Sequence, residues 1–348
     1  MNAKENYLRA VRFQRPDYIP MAFAINGACY DAYPQDALFE LMERHPLLFP
    51  NFQKPSLPYR PEFALTARKD QPYIDDFGCV WQTTVDGITG TVVKHPLADW
   101  EDFSQYRFPD PDVCTGVGPI DWAAAKSEMN AHPEQLHMGG LRHGHTFLQL
   151  CDIRGYQNLL FDMMDEEPLL WELIEGVERF NMGIIRHELE CGVDVMTYPE
   201  DLGMQIGPML SPEQFRRYIK PSYQRLMAPA RENGIPIHMH SDGDIRTLAD
   251  DLVDGGVEIL NLQDLVNGID WIAEKFAGKI CIDLDIDRQK ITRFGTPKEI
   301  DSLIREEVTK IGSPQGGLTM IYGLYPGVPL ENAAALMDAM EKYMGYFD

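Results

Sequence analysis

The stretch "IPIHMHSDGDIRTLADDLVDGGVEILNLQ", residues 235–263, contains the pattern that decides the fold. Residues 235–240 form a mostly apolar run that predicts a strand, residues 244–256 have helical spacing and end in two glycines, and residues 257–263 predict a second strand. Short strands without a polar face are typical of a parallel sheet that helices cover on both sides. The stretch therefore predicts a βαβ unit.

The same alternation continues along the chain. A helix is predicted over about 168–191, and five strand-and-helix units follow residue 190, beginning with the strand "DVMTYP". Candidate strands upstream are "YIPMAFAI" and "QLHMGGL", and a further unit is predicted near "FLQLCDIRGYQNLLF". Seven or eight such units predict a (β/α)₈ barrel. An open doubly wound sheet is disfavoured because no G-x-G-x-x-G turn follows an early strand.

Residues 50–119 depart from this rhythm because they are rich in proline and aromatic residues. Within them, "FGCVWQTTVDGITGTVVKHP" predicts a β-hairpin that turns near Gly87 to Gly90. We interpret the region as an insertion or lid over the barrel mouth. The prediction is thus a single domain over residues 1–348 with a lid at about 50–119.

Composition and charge narrow the class of protein. The chain of 348 residues has 54 acidic residues against 31 lysines and arginines, a net charge of −23, which argues against nucleic acid or an anionic membrane as a partner. No stretch approaches the roughly 18 uncharged apolar residues of a membrane span, and the N-terminal residues do not resemble a signal peptide. The six cysteines form no C-x-x-C pair, which is typical of reduced thiols. These features predict a cytoplasmic protein.

Polar side chains follow most of the predicted strands, at the end where barrel enzymes place their active sites. The segments after five or six strands thus place ionisable or hydrogen-bonding groups at the same end of the predicted barrel. These residues are Arg142, His143, His145, Glu200, Asp201, His238, His240, Asp242, Gln263, Asp264, Asp283, Asp285, Tyr322 and Tyr325.

The most informative of these segments is "IPIHMHSDGD". Because successive side chains of a strand face opposite sides, His238, His240 and Asp242 share one face if the strand persists that far. Imidazole and carboxylate groups at this spacing can bind Zn²⁺ or a similar ion, and Glu200 could supply another ligand. The alternative is that the histidines only hydrogen-bond to substrate or to neighbouring aspartates.

The segment "GVDVMTYPEDLGMQIGPMLSPEQFRRYIKPSYQRLMAPARENGIPIHMHSDGDIRTLADDLVDGGVEILN" resembles the uroporphyrinogen decarboxylase superfamily, which includes the cobamide-dependent methyltransferases. The N-terminal "ENYLRAVRFQRPDYIPM" and the C-terminal "GTPKEI" and "YPGVPLENAAALMDAM" resemble the same superfamily. The resemblance thus covers nearly the whole chain. It implies a distorted (β/α)₈ barrel and, as in relatives, a homodimer.

Two departures from the superfamily patterns bear on the reaction. True uroporphyrinogen decarboxylases have an arginine-rich "RQAGRY"-type segment after the first strand, whereas no arginine stands between Arg15 and Arg44 here. The methyltransferase branch has a zinc motif H-x-C-G and a distant cysteine near the last strand. This chain has Asp242 in place of the motif cysteine, and "MIYGLYPG" near the last predicted strand contains no cysteine.

Replacing thiolates by oxygen ligands would make a bound metal a harder Lewis acid, suited to an oxygen-bearing substrate. The resemblance therefore implies a methyltransferase or O-demethylase that uses zinc and a corrinoid carried by a partner protein. The expected metal ligands are His240 with Asp242 or Glu200. The expected catalytic residues are His240, His238, Asp283 and Tyr322, and the expected substrate-binding residues are His143, Arg142, Trp81, Gln263 and Tyr325.

Other functions stay open at this point. A decarboxylase acting on a uroporphyrinogen-type tetrapyrrole or a smaller acid would need basic residues at the mouth, and few are present beyond Arg142. A metal-dependent hydrolase or a non-catalytic ligand-binding barrel is a third possibility. Without a metal, His240 and Asp242 would act as a proton-transfer pair.

Overall fold

The structure is a computed structural model that describes residues 1–347. Its strands in chain order are β1 (Met21–Ile25), β2 (Tyr73–Ile74), β3 (Val80–Gln82), β4 (Thr91–Lys94), β5 (Met138–Gly140), β6 (Val195–Asp201), β7 (Ile237–Asp242), β8 (Ile259–Gln263), β9 (Cys281–Asp285) and β10 (Leu318–Leu324). Its α-helices are α1 (Ala3–Val11), α2 (Cys29–Ala32), α3 (Gln35–Arg44), α4 (Trp122–Ala131), α5 (Phe147–Arg154), α6 (Tyr156–Asp165), α7 (Pro168–Cys191), α8 (Pro212–Gln214), α9 (Lys220–Glu232), α10 (Ala249–Gly255), α11 (Asp264–Asn267), α12 (Ile269–Phe276), α13 (Ile291–Phe294), α14 (Pro297–Ile311) and α15 (Leu330–Met344).

The chain divides into two compact units. The first comprises residues 1–69, 85–89 and 260–347, and the second comprises residues 70–84 and 90–259. In the first unit the strands lie in the order β1, β10, β9, β8, and β10 pairs in parallel with both β1 and β9. In the second unit the order is β7, β6, β5, with parallel pairing throughout. Residues 1–347 thus contain seven strands of the predicted kind, and the predicted α/β class is confirmed.

The helix predicted over about 168–191 is α7, in the second unit. It starts with Pro168 in its first turn, where a missing N–H costs nothing, and it ends before Gly192, which adopts the left-handed conformation that favours glycine. Leu173, Val177 and Ile184 are among the residues on its buried face, at helical spacing. Charged residues occupy the opposite face. No helix within residues 1–347 is both long and apolar enough to cross a membrane.

The predicted hairpin is also confirmed. Strand β3 pairs antiparallel with β4, and β2 pairs antiparallel with β3 to complete a small three-stranded sheet in the second unit. The surrounding residues 50–119 contribute to both units. Their role as a lid, and the treatment of the whole chain as one domain, stay predictions.

The stretch "FLQLCDIRGYQNLLF" differs from the prediction. It contains no strand and forms α5 and α6, which are separated by Gly155 at a positive φ of 87°. A short apolar run is compatible with either a strand or a buried helix, so hydrophobicity alone does not distinguish the two. Here the first backbone N–H groups of α5 find an acceptor in a distant carboxylate, described below, and this favours the helix.

Candidate functional site

Three ionisable side chains of the second unit meet at the carboxyl ends of its parallel strands. Asp201 is the last residue of β6, His240 lies in β7, and His143 follows β5. Asp201 Oδ1 lies 3.3 Å from Nε2 of His143 and 3.5 Å from Nε2 of His240, and the two imidazole rings have centroids 5.7 Å apart. We call these three residues the His–Asp cluster.

The register between β6 and β7 explains why these groups meet. Pro199 lies opposite His240, and Asp201 lies opposite Asp242. Because side chains alternate along a strand, Asp201, His240 and Asp242 belong to the same face, and Glu200 belongs to the other. Asp242 also approaches His240, with 3.7 Å between Oδ1 and Nε2.

The electrostatics of the His–Asp cluster keep its carboxylate ionised. Burial by itself would raise the pKa of Asp201, but hydrogen bonds from His143 and His240 outweigh burial and hold that pKa well below its usual range. The backbone N–H of Asp242 also donates to Asp201 Oδ1, at 3.1 Å. The cluster therefore contains a fixed negative charge between two imidazoles.

This arrangement fits a divalent metal ion. One ligand atom from each of His143, Asp201 and His240 lies within 4.8 Å of the other two. Nitrogen and oxygen atoms about 2.0–2.2 Å from a tetrahedral zinc lie roughly 3.3–3.6 Å from one another, so small side-chain movements would complete such a site. Three protein ligands that leave a further position open are typical of catalytic rather than structural zinc.

Glu200, a predicted metal ligand, is not brought into the cluster. Its buried carboxylate accepts hydrogen bonds from the backbone N–H groups of Thr146, Phe147 and Leu148, at 2.8–3.1 Å, and from the Tyr223 hydroxyl at 2.9 Å. The acid thus caps the N-terminus of α5, where the backbone needs acceptors and the helix dipole favours an anion. Burial nevertheless raises the pKa of Glu200. Its position indicates a structural role, and Asp201 takes the place expected for it.

A second charged group surrounds Arg142, the residue before His143. Its guanidinium lies between two carboxylates, with Nη1 3.5 Å from Asp75 Oδ2 and Nη2 3.3 Å from Asp152 Oδ2. The indole of Trp81 lies beside it, with 5.6 Å from the ring centroid to Arg142 Cζ. We call Arg142, Asp75, Asp152 and Trp81 the arginine cluster. The structure thus brings together two of the predicted substrate-binding residues, Arg142 and Trp81.

Asp152 has an unusual acidity. Burial is the largest cause that raises its pKa, Arg142 opposes burial, and the charges of Asp75 and Glu200 add to it, so that the pKa is about 7. The group is therefore partly protonated at neutral pH.

We expect Asp152 to make stability depend on pH. Because the folded pKa is about 7 and the unfolded value is 3.8, the neutral acid stabilises the fold fully below about pH 4, and this contribution is lost as the pH rises through about 7. The loss is on the order of 2–4 kcal/mol. Asp152→Asn should remove that loss, so that urea unfolding at pH 5 and pH 8 gives more similar free energies than in the wild type. The exposed Asp99→Asn is the control, and an unchanged pH profile in Asp152→Asn would contradict the assignment.

Four of the remaining predicted residues belong to the first unit. Asp283 accepts a hydrogen bond from the Thr319 hydroxyl at 2.6 Å, and Gln263 is buried at the end of β8. Tyr322 is fully buried, donates to Thr292 Oγ1 at 3.2 Å, and burial raises its pKa to about 12. Tyr325 is exposed and lies beside Arg288. Because Tyr322 is buried and hydrogen-bonded, its position is that of a core residue.

His238 lies two residues before His240 in β7 and is buried. Two functional candidates were missed by sequence reasoning, Asp75 and Asp152. Asp201 was among the residues after the strand that begins at Asp194, but Glu200 was predicted as the ligand instead. A signal existed for Asp201, because it occupies the same alternation of β6 that His240 and Asp242 occupy in β7. No local motif marks Asp75, in a loop, or Asp152, inside α5.

Comparison with known proteins agrees with this description. Parallel strands with polar clusters at their carboxyl ends are the arrangement of α/β barrel enzymes. The family model described as Uroporphyrinogen decarboxylase (URO-D) matches residues 76–343, more than half of the chain. The chain therefore belongs to the uroporphyrinogen decarboxylase family, which confirms the predicted resemblance.

Individual relatives are distant. The uroporphyrinogen decarboxylase of Thermus thermophilus is 26% identical over 185 residues, which are 52% of this chain and 50% of that protein. That of Christiangramia forsetii is 20% identical over 244 residues, 67% of each protein. In the Thermus thermophilus alignment, the chain spans about half the length of its relative.

A solved structure covers more. The methyltransferase from Methanosarcina mazei matches over 99% of both chains, with a TM-score of 0.66 and 17% sequence identity. At this identity the likeness shows the fold alone, and it confirms the predicted fold class. The chain is thus a uroporphyrinogen decarboxylase family member with a methyltransferase as a structural neighbour.

Proposed function

We propose that the protein transfers a methyl group between a small oxygen-bearing substrate and a corrinoid carried by a partner protein. The observation that supports this most directly is the His–Asp cluster, in which two imidazoles and a carboxylate converge without a thiol. A thiolate-rich zinc site suits a thiol acceptor, whereas nitrogen and oxygen ligands suit a substrate that presents oxygen. The methyltransferase among the structural neighbours supports the same class of reaction.

The ligands of the proposed metal are His143, Asp201 and His240. When bound there, Zn²⁺ would act as a Lewis acid that polarises the substrate's oxygen. Asp201 is ionised already, so it can bind a cation without first losing a proton. His143 has an exposed side chain and thus forms the solvent side of the cluster.

Asp242 would assist from beside the cluster. Its carboxylate approaches the same nitrogen of His240 as Asp201 does, at 3.7 Å against 3.5 Å. Two carboxylates near one imidazole nitrogen favour either a cation at that point or a protonated imidazole. In the first case Asp242 helps to orient His240, and in the second the pair can deliver a proton to the leaving oxygen.

The test is methyl transfer from methoxylated compounds to free cob(I)alamin, which substitutes for the partner protein. The carbon–oxygen bond of the ether breaks, the methyl group bonds to cobalt, and the released oxygen takes a proton. We expect wild-type protein to change the corrinoid absorbance, and His240→Ala and Asp201→Asn to lower the rate by about 100-fold or more.

The matched control is His132→Ala, which removes a surface histidine that lies beside Glu128 and Glu134. Equal rates in wild type and His240→Ala would overturn the proposal. Release of CO₂ from a carboxylated substrate, without any corrinoid, would instead support the decarboxylase alternative.

A further inference from the structure

The arginine cluster offers one hydrogen-bonding group that the protein itself does not use. Nη1 of Arg142 is buried and makes no hydrogen bond within residues 1–347, although it lies 3.5 Å from Asp75 Oδ2. The whole side chain is only 8% exposed. A buried guanidinium nitrogen without a hydrogen-bond acceptor is costly, so it indicates a place where another acceptor can bind.

The two carboxylates beside Arg142 are held very differently. Asp75 is fully buried and accepts hydrogen bonds from the backbone N–H groups of Phe77 and Cys79, at 3.0 and 2.9 Å, and from Trp81 Nε1 at 2.8 Å. Asp152 is 19% exposed, and within residues 1–347 its carboxylate accepts a hydrogen bond from Arg142 alone. Asp75 is therefore a fixed partner of the guanidinium, whereas Asp152 is an exchangeable one.

We propose that Arg142 binds a carboxylate group of the substrate, which replaces Asp152 as a partner of the guanidinium while Asp152 takes up one proton. The proposal extends the proposed function, since it names the substrate class as a small acid. Arginine suits this role because its planar fork matches a carboxylate, and because it stays charged.

The proton uptake follows from the charges around Asp152. Arg142 favours its ionised form, and Asp75 and Glu200 disfavour it. The thiols of Cys79 and Cys151 also face it, but burial raises the pKa of both, so they are neutral at ordinary pH. A second anion at Arg142 would add to the repulsion, and protonation of Asp152 relieves it.

The position of Trp81 indicates the shape and polarity of the rest of the ligand. Its indole lies beside the guanidinium, in strand β3 of the small sheet, and its nitrogen is held by Asp75. A flat apolar surface next to a cation fits an acid with a planar apolar body. An aromatic carboxylate with a methoxy substituent combines this body with the oxygen that the proposed reaction needs.

Isothermal titration with 4-methoxybenzoate tests the inference without corrinoid or turnover. Measurement in two buffers of different ionisation enthalpy gives the number of protons taken up. With the pKa of Asp152 at about 7, we expect uptake of nearly one proton at pH 8 and little at pH 6, and a Kd about tenfold higher at pH 8. Asp152→Asn should bind with no proton uptake and with a Kd that hardly changes between these pH values.

Two further comparisons make the result decisive. The neutral 4-methoxybenzamide should bind at least about tenfold more weakly than the acid, and Arg142→Gln should lose that preference. Arg142→Lys retains the charge and serves if Arg142→Gln does not fold, with an intermediate preference expected. Equal binding of acid and amide by wild type, or unchanged proton uptake in Asp152→Asn, would overturn the proposal.

The outcome is separable from that of the proposed function. Binding of the acid should persist in His240→Ala, whereas an acid that binds only through the metal would be lost there. Binding with proton uptake but without methyl transfer would leave the arginine site standing and reject the reaction. Methyl transfer from neutral ethers, without binding of the acid, would support the reaction and reject the arginine site.

Discussion

His240→Ala should bind almost no zinc. Both proteins are purified without a polyhistidine tag and dialysed against zinc, and we expect about one zinc ion per chain in wild type and nearly none in this variant. His143→Ala and Asp201→Asn should behave alike, because each removes one of three ligand atoms that lie within 4.8 Å of one another. A site reduced to two protein ligands binds zinc far more weakly. Elemental analysis of the four proteins provides the measurement.

Two variants serve as controls for the metal measurement. His132→Ala should retain the ion, because this surface histidine lies outside the cluster and contacts Glu128 and Glu134. Asp242→Ala tests whether Asp242 is itself a ligand, as the sequence predicted, or lies beside the ligands, as the geometry supports. We expect this variant to bind zinc with lower affinity but not to lose it. Wild-type protein that takes up no zinc even after dialysis would reject the metal site and leave acid–base chemistry to explain the cluster.

Glu200→Ala should be among the most destabilising single substitutions in the second unit. It leaves three backbone N–H groups and the Tyr223 hydroxyl without their buried acceptor, and it removes the anion at the start of α5. Each unsatisfied buried group costs about 1–3 kcal/mol. Removing a buried carboxyl that burial disfavours offsets part of this cost. We expect a net loss of about 4 kcal/mol in the free energy of unfolding, measured in urea.

The comparison series separates the capping role from a ligand role. Tyr223→Phe removes one of the four hydrogen bonds and should cost about 1 kcal/mol, and the exposed Glu213→Ala should cost little. Glu200→Gln retains the volume of the side chain but cannot accept hydrogen bonds from all the N–H groups. Its loss in the free energy of unfolding should therefore lie between those of Tyr223→Phe and Glu200→Ala. If Glu200→Ala were as stable as wild type but free of zinc, Glu200 would be a ligand after all.

The fold class was predictable because it depends on repeated local patterns. Apolar runs of strand length, helical spacing and glycines at helix ends recur along residues 168–344, and α7 appears where the pattern predicted it. The further unit predicted near "FLQLCDIRGYQNLLF" was wrong in its strand, because the local pattern there does not distinguish a strand from a helix. Residues 147–154 are buried on most sides and include the polar Gln149, Asp152 and Arg154, so they show no clear helical or strand periodicity. The choice between helix and strand there depends on Glu200, more than forty residues away.

The site was predictable only in part, for a related reason. Alternation along one strand placed His240 and Asp242 on a common face. The choice between Glu200 and Asp201 depends on the register of β6 against β7, since adjacent residues of β6 face opposite sides. Arg142 was a candidate from its position after β5, but its partners, Asp75 and Asp152, come from a loop and a helix without any motif.

By itself, then, the sequence determined the class of fold, the family and the residue types available for chemistry, because hydrophobic periodicity and motifs are local properties of the chain. The tertiary structure alone decided that Asp201 meets His143 and His240, that Glu200 caps α5, and that Asp152 shares Arg142 with Asp75. These contacts depend on strand register and on burial. Both arise only when distant segments pack, and burial then decides which carboxyl groups stay ionised.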